Sequence, residues 1–229
     1  MVSKIEGAHC DECPLRSNAF CTPKAMRSDI PYLFIGGGPS ITEAYKGDFL
    51  TTTDAGKLTL SVATFNGIDR DHIQYTSSVC CAGMADLSAR DKKKAIACCN
   101  GPLFDRIDDA DPVGVVLMGA DAAQAVAGDS RVTALRVGPA RTLAATETPT
   151  IVTVSPWACI ALERNFQFFV TDVGKLVNDP PPFELPNYNV ITDKYDALIA
   201  VGAWLKDARN QSAPQPLVLD IEVAMEKDI

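Results

Sequence analysis

The stretch that decides the fold is PYLFIGGGPS, residues 31–40, in which an apolar run ends in three glycines, a proline and a serine. The run YLFIG is short, continuous and apolar, which is typical of a strand that is buried on both faces of a parallel sheet. Glycines directly after such a strand predict a tight turn where the backbone can approach a ligand closely. Because ligands of open α/β sheets bind at the carboxyl ends of the strands, this turn is a candidate binding site.

Three more apolar runs follow, and helical patterns separate them. The predicted strands are YLFIG (32–36), HIQYTS (72–77), VGVVLMG (113–119) and TIVTVS (150–155). The predicted helices cover residues 54–66, 91–107, 120–127 and 157–177. This alternation predicts an α/β fold with a mostly parallel, four-stranded sheet that helices cover on both faces. The loops GGGPS, SSVCC and VSPW all follow strand ends, so we expect them to converge on one crevice.

The chain has 229 residues, enough for one sizeable domain or for one domain with a fragment of another. Its net charge of −8 and pI of about 4.8 argue against a protein that wraps nucleic acid around its whole surface, but they leave a local basic site open. No apolar run approaches the roughly 18 residues of a membrane span, and the start, MVSKIEGAHCDEC, has no apolar signal-peptide core. We therefore expect a cytoplasmic protein without a membrane partner, located in the host cytoplasm if a phage encodes it.

The chain has eight cysteines, and in a reducing compartment clustered thiols indicate metal ligands rather than disulfides. Cys10 and Cys13 form a C-x2-C pair, whose two thiolates can bind one metal centre. We expect one ligand from each of the doublets at 80–81 and 98–99, since two adjacent residues on a regular element rarely both reach one centre. Cys159 lies in the apolar stretch ACIAL and is interpreted as a small buried hydrophobic residue.

The glycine turn does not match two common phosphate-binding motifs. A dinucleotide fingerprint, G-x-G-x-x-G, fits Gly36 and Gly38 but has Ile41 in place of the third glycine. A P-loop needs G-K-S/T after four spacer residues, and the turn has no such sequence. The function of the turn therefore depends on the segments that accompany it.

Six segments, in order, resemble the iron–sulfur uracil-DNA glycosylases. The first two, CDECPLR (10–16) and YLFIGGGPSITEAYKGDFL (32–50), are similar to that family's C-x2-C-P-L and to its strand followed by G-E-A-P-G, an acidic residue, a glycine and a phenylalanine. The others are YTSSVCC (75–81), KAIACCNGPLFDRI (94–107), VVLMGADAAQAVAG (115–128) and IVTVSPWACIALERN (151–165). The resemblance covers about residues 8–178 and implies a three-layer α/β/α domain over residues 1–178.

The resemblance also implies a structural [4Fe–4S] cluster that is held by four cysteines. Cys10 and Cys13 match the family's first pair of ligands. Cys99 fits the fourth ligand, and Cys81 is preferred over Cys80 for the third. A zinc ion with four cysteine ligands is the alternative.

The loop between the last two implied ligands carries RDKKK (90–94), the one local basic patch of the sequence. Beside a DNA groove, Lys92, Lys93 and Lys94 would contact phosphates, whereas the alternative is a solvated charged face. The partner that the resemblance implies is single-stranded or uracil-containing DNA.

The family's three catalytic residues are replaced in this sequence. The acid of G-E-A-P-G falls on Gly37, the asparagine that reads the uracil edge falls on Ser78, and the histidine of H-P-x falls on Ser155. Base excision needs a positioned water and groups that stabilise charge on the departing base, which glycine and serine do not supply. The resemblance therefore implies a pocket without the usual excision chemistry and leaves open whether the chain is an enzyme.

The frame of the pocket is retained. The residues that the resemblance assigns to the nucleotide pocket are Gly36, Gly38, Pro39, Phe49, Ser78, Ser155 and Pro156. Phe49 takes the place of the ring that stacks on a flipped base, although a core aromatic residue after a turn would give the same pattern.

The last fifty residues have a different character. NDPPPFELP is rich in proline and predicts a linker over residues 179–186. Residues 187–229 predict a short βαβ extension that ends in Asp220-x-Glu222, which resembles the start of the proofreading exonuclease domain of family A DNA polymerases. In that family the two carboxylates help to hold catalytic metal ions, whereas the alternative is a strand end with solvated acids. We expect that this chain does not assemble the exonuclease site alone.

Two functional hypotheses follow from these resemblances. The first is an iron–sulfur module, without excision activity, that binds DNA or has a structural role in a phage-type DNA polymerase whose remainder is its partner. The alternative is an active DNA glycosylase for uracil or another damaged base with altered catalytic residues.

Overall fold

A computed structural model of the chain describes residues 5–20, 31–143 and 146–177. The chain divides into two compact units, Met1–Pro181 and Pro182–Ile229, and the described residues all belong to the first. Cys21, the predicted linker (179–186), the predicted βαβ extension (187–229) and its pair Asp220 and Glu222 lie outside the described residues. Within the described ranges, no helix combines the length and the apolar character needed to cross a bilayer.

A five-stranded sheet forms the centre of the first unit. Its strands are β1 (Tyr32–Gly36), β2 (Ile73–Ser77), β3 (Gly114–Met118), β4 (Arg141–Thr142) and β5 (Pro149–Thr153). The order across the sheet is β2-β1-β3-β5-β4, with the first four parallel and β4 antiparallel to β5. The four predicted parallel strands are confirmed. The fifth strand was not predicted, because two exposed residues carry no periodic signal.

Seven helices accompany the sheet in the described part of the chain. They are α1 (Ile41–Lys46), α2 (Asp54–Phe65), α3 (Ala89–Ala110), α4 (Ala120–Ala127), α5 (Val132–Leu135), α6 (Pro156–Ala161) and α7 (Arg164–Val177). Successive strand residues point to opposite faces, so Ile35 packs in one core with Leu103 of α3, and Phe34 packs in a second core with Phe169 of α7. Helices therefore cover both faces of the sheet, as a three-layer α/β/α arrangement requires.

Two helix predictions need correction. The predicted helix 157–177 is divided into α6 and α7, because Leu162 takes an extended conformation and the Asn165 side-chain amide donates to the Ala158 carbonyl at 2.9 Å. Helix α1 was not predicted, although Ser40 and Glu43 form a capping box that has a recognised sequence signature.

The segment 5–20 is held against α3 at a point where that helix lacks a hydrogen bond. Pro102 lies inside α3 and has no N–H to donate to the carbonyl four residues earlier, at Cys98. The His9 N–H donates to that carbonyl instead, at 3.0 Å. The proline therefore provides an attachment point for the turn that carries Cys10 and Cys13.

Candidate functional site

Two adjoining cavities lie at the carboxyl ends of the parallel strands. The inner cavity, of about 50 Å³, lies between the glycine turn, Phe49 and Tyr75. The outer groove, of about 440 Å³, runs from the glycine turn past Lys92 and Asp121. Gly37, Gly38, Ser155 and Trp157 line both of them. The loops GGGPS and VSPW therefore converge as predicted, whereas no residue of the third predicted loop, SSVCC, lines either cavity. Of the assigned pocket residues, Gly36, Phe49 and Pro156 line the inner cavity, and Pro39 lines the outer groove.

Tyr75 fills the space beside Gly36. A β-carbon at Gly36 would collide with the Tyr75 hydroxyl, so the phenol needs a glycine at that position. The Tyr75 ring stacks on Phe49, with 4.8 Å between the ring centroids and 22° between the planes. Phe49 is 5% exposed, so its placement favours the core interpretation over a free platform for a flipped base. A cavity of about 50 Å³ has room for water molecules.

A buried carboxylate, Glu43, also borders the inner cavity. Its oxygens accept hydrogen bonds from the Ser40 N–H at 2.7 Å and from the Thr53 hydroxyl at 2.8 Å. Burial raises the pKa of the Tyr75 phenol well above its ordinary value, and the charge of Glu43 adds to that shift. Tyr75 therefore stays protonated, and Glu43 serves the start of α1 as well as the cavity wall.

Asp121 occupies the space into which a side chain at residue 37 would project. A β-carbon built on Gly37 would lie 3.0 Å from the Asp121 Cβ and 3.1 Å from its Oδ2. The φ angle of Gly37 is outside the left-handed region, so the backbone itself would accept another residue. A side chain at position 37 would therefore press on Asp121, which would have to shift by a few tenths of an ångström.

The two serines of the predicted pocket have different environments. Ser78 is fully buried, its hydroxyl donates to the Gly37 carbonyl, and it lines neither cavity. It therefore fastens the glycine turn to the end of β2 and presents nothing to a ligand, contrary to its expected place in the pocket. Ser155 precedes α6 and faces both cavities. The hydroxyl of Ser77, beside Ser78, is buried without a hydrogen-bond partner.

The basic run lies at the start of α3. Lys92 faces the outer groove and forms an ion pair with Asp121, with 3.8 Å between Nζ and Oδ2. Lys93 and Lys94 are exposed to solvent. The structure therefore places one of the three predicted phosphate contacts inside the groove, where an acid already neutralises it, and the other two outside.

Thiols from three segments pack together on the α3 side of the sheet. Cys13, Cys81, Cys98 and Cys99 belong to one buried cluster, and Cys10 lies one turn from Cys13. The Cys98 thiol forms a hydrogen bond with Cys13. Burial raises the pKa of Cys98, and the neighbouring Cys13 thiol raises it further. Burial also raises the pKa of Cys99 to about 12. A hydrogen bond with the Cys80 backbone opposes this shift, whereas the charges of the neighbouring thiols of Cys80, Cys13 and Cys81 add to it.

The chemistry of this donor set fits a thiolate-bound metal centre. Among the described residues, no three histidine, cysteine or acidic side chains are arranged to hold an ion as they stand. The thiols that would have to converge nevertheless lie in one packed region of three segments. The choice of Cys81 over Cys80 and of Cys99 over Cys98 stays a prediction, since Cys13 interacts with both members of the second doublet. Cys159 lies in the other core, as expected, where burial raises its pKa to about 11.

No protein-family model matches this chain, and no curated protein matches it significantly. The resemblance to the iron–sulfur uracil-DNA glycosylases is carried by the residues quoted above. Membership of that family, the cofactor and the partners are therefore proposals.

Sequence reasoning missed three residues that shape the site: Tyr75, Glu43 and Asp121. Glu43 had a signal in the capping box with Ser40. Tyr75 and Asp121 had no local sequence signal, because each acts through contact with a glycine that is about 40 or more residues away in the sequence.

Proposed function

We propose that this chain is an iron–sulfur domain that binds single-stranded DNA in the outer groove and does not excise bases. The observation that carries this proposal is the placement of Tyr75, whose phenol fills the space beside Gly36. An excising enzyme must enclose the base that it removes. The inner cavity has room for water but not for a base, whereas the outer groove can hold a nucleotide.

The sizes of the two cavities support this division. Small-ligand sites in proteins usually have volumes of about 300–1,000 Å³. The outer groove, at about 440 Å³, is within that range, and the inner cavity, at about 50 Å³, is far below it. A nucleotide therefore enters the groove and stops at the wall that Gly37 and Ser155 form.

Trp157 supplies the surface on which a base can stack. Its side chain is 51% exposed and lines the groove directly after Ser155 and Pro156. Stacking on an aromatic side chain contributes about 1–3 kcal/mol per base and depends little on the sequence of the strand. Lys93 and Lys94 are exposed near the groove and can contact phosphates, which makes binding sensitive to salt.

The groove is poor in excision chemistry. Gly37 has no side chain, and Ser155 offers a neutral hydroxyl where a charge must be stabilised. Loss of one such electrostatic group costs about 10²–10³ in rate.

One observation favours the alternative, an active glycosylase with altered residues. The Asp121 carboxylate lies in the space that a side chain at residue 37 would take, where it could orient a water. This activity would require Tyr75 to leave the inner cavity before a base could enter.

The cofactor and the protein partner complete the proposal. Cys10 and Cys13 with one member of each doublet would hold a [4Fe–4S] cluster, whose role is to join the segment 5–20 to α3 and to the loop after β2. A zinc ion is the alternative metal. The proposed role in a phage-type DNA polymerase depends on the resemblance of residues 187–229, and the rest of that polymerase would be the partner.

An excision assay and a binding assay test the proposal together. Anaerobically purified protein is incubated with labelled single- and double-stranded DNA that contains uracil, and abasic sites are revealed by alkaline cleavage. We expect no cleavage above the protein-free control. Robust cleavage would overturn the proposal in favour of the active glycosylase.

Binding to labelled oligothymidine is followed by fluorescence anisotropy. Trp157→Ala is expected to weaken it about tenfold, because one stacked base is lost. Phe65→Ala is the matched control, since Phe65 is an exposed aromatic residue of α2 that lines neither cavity. Equal effects of the two substitutions would refute the placement of DNA in the groove.

A further inference from the structure

We infer that the outer groove selects guanine, because Lys92 and Asp121 together present one hydrogen-bond donor beside two acceptors. This inference rests on the proposed function, in that it names the base that the groove prefers. Lys92 belongs to the basic run and Asp121 to the segment that follows β3, and the two come together through the contact of α3 with α4.

The position of the pair is determined by the glycine turn and by two helices. Asp121 lies in the first turn of α4, against Gly37, where the missing side chain leaves room for its carboxylate. Lys92 reaches it from the first turn of α3. The side chains of both residues are 29% exposed, so the pair is accessible from the groove and only partly screened by solvent.

The separation within the pair leaves hydrogen-bonding capacity unused. The Lys92 Nζ lies 3.8 Å from the Asp121 Oδ2, which is beyond the 2.7–3.2 Å of a hydrogen bond between nitrogen and oxygen. The attraction between the two charges holds the two side chains in this arrangement. An incoming base can therefore receive a hydrogen bond from the ammonium and donate to the carboxylate.

The charge of the groove favours a base over a phosphate. Asp86 and Asp121 line the groove with Lys92, so the acids outnumber the lysine. A phosphate placed among them would be repelled, whereas a neutral base with donor groups would be attracted. The phosphates of a bound strand would then lie towards Lys93 and Lys94.

Guanine is the base whose edge matches this array. Its Watson–Crick edge carries the O6 acceptor, the N1–H donor and the N2 amino donor in a row, complementary to an ammonium followed by two carboxylate oxygens. Thymine and uracil place a carbonyl where the second donor is needed. Adenine and cytosine place a ring-nitrogen acceptor opposite the carboxylate.

The size of the preference follows from bidentate pairing. A good bidentate contact between a side chain and a base discriminates against the wrong base by a factor of about ten or more. We therefore expect an oligothymidine with one central guanine to bind about tenfold more tightly than the same strand with thymine, adenine or cytosine there.

Two analogues test which edge of the base is read. Inosine lacks the N2 amino group and should lose most of the preference, because only one donor then faces the carboxylate. 7-Deazaguanine keeps the Watson–Crick edge and loses only N7, so it should bind as guanine does. Loss of preference with 7-deazaguanine and not with inosine would overturn the inference.

The matched variants are Asp121→Asn and Asp109→Asn, which make the same change of charge and volume. The amide at position 121 presents one donor and one acceptor, so the ratio of the affinity for the guanine-containing strand to that for oligothymidine should fall to about one. Asp109 is exposed near the other end of α3, about 26 Å from Lys92 at 1.5 Å per residue, and its substitution should not change this ratio. Unchanged preference in Asp121→Asn, or equal loss in both variants, would overturn the inference.

Titrations with guanosine and uridine monophosphates separate this inference from the proposed function. Strand binding without guanine preference overturns the inference and leaves the proposed function standing. Preference for the guanosine nucleotide without strand binding overturns the proposed function and leaves the inference standing. Absence of both kinds of binding overturns both.

Discussion

The contact between Gly37 and Asp121 leads to a prediction about charge. Gly37→Glu would place a second carboxylate beside the first, since its β-carbon would lie 3.1 Å from the Asp121 Oδ2. Two unit charges 4 Å apart interact with about 4 kcal/mol at an effective dielectric constant of about 20. The partial exposure of Asp121 reduces this repulsion, so we expect a coupling free energy of about 2 kcal/mol between the two carboxylates.

A double-mutant cycle measures this coupling. The free energy of unfolding is determined by urea denaturation for the unmodified chain, Gly37→Glu, Asp121→Ala and the combination. Gly37→Gln is the control, because it brings the same steric contact without the charge. Gly37→Glu should be more destabilising than Gly37→Gln, and Asp121→Ala should remove the difference.

The pH dependence of the same variant has a defined sign. A neighbouring like charge raises the pKa of a carboxyl group in the folded state. The destabilisation of Gly37→Glu is therefore full at pH 7 and decreases as the pH falls through that raised pKa, whereas Gly37→Gln shows no such recovery. Coupling below about 0.5 kcal/mol, or a pH profile identical to that of Gly37→Gln, would refute the placement of Asp121.

This prediction bears on attempts to restore excision. A chain with Gly37→Glu, Ser78→Asn and Ser155→His would regain the three side-chain types of the resembled family. The restored acid would meet Asp121, and the residue at 78 would face the interior rather than the groove. We therefore expect no excision from this triple variant, because Asp121 and Tyr75 still occupy the space that the restored side chains and a base would need. Excision by the triple variant would contradict the geometry.

Three further predictions concern the cofactor, a buried ion pair and the inner cavity. Anaerobic protein should be brown with about four irons per chain; Cys13→Ala should lose the iron and Cys159→Ala should keep it, whereas stoichiometric zinc without iron would refute the cluster. Asp172 is fully buried and forms ion pairs with Arg136 at 2.9 Å and with Lys175 at 2.8 Å, so Asp172→Asn should lower the free energy of unfolding by about 3–5 kcal/mol. Asp129→Asn, which breaks a solvent-exposed pair, should change it little. Equal effects in urea denaturation would contradict this. Tyr75→Ala should cost about 3–5 kcal/mol of stability and open the inner cavity; a cost below about 1 kcal/mol would show that the phenol does not fill it.

Much of the fold was predictable because local sequence patterns determine it. Strands β1, β2, β3 and β5 are short strand-like runs that alternate with helical segments, and this pattern predicts a parallel sheet covered on both faces. Helix α1 had a capping signature that went unused. The division between α6 and α7 depends on a hydrogen bond of the Asn165 side chain, which helical periodicity does not reveal.

By itself the sequence determined that the glycine turn ends a buried strand, that two strand-end loops meet there, and that the cysteine-bearing segments are candidates for one centre. Only the tertiary structure decided what occupies the turn. Residues of β1 and β2 are paired so that Gly36 lies opposite Ser77, which brings Tyr75 across to the space beside Gly36. The packing of α4 brings Asp121 over Gly37. The physical reason is that a glycine in the sequence indicates free space beside the backbone but does not indicate which side chain fills it. That side chain is determined by strand register and by the packing of segments that are distant in the sequence.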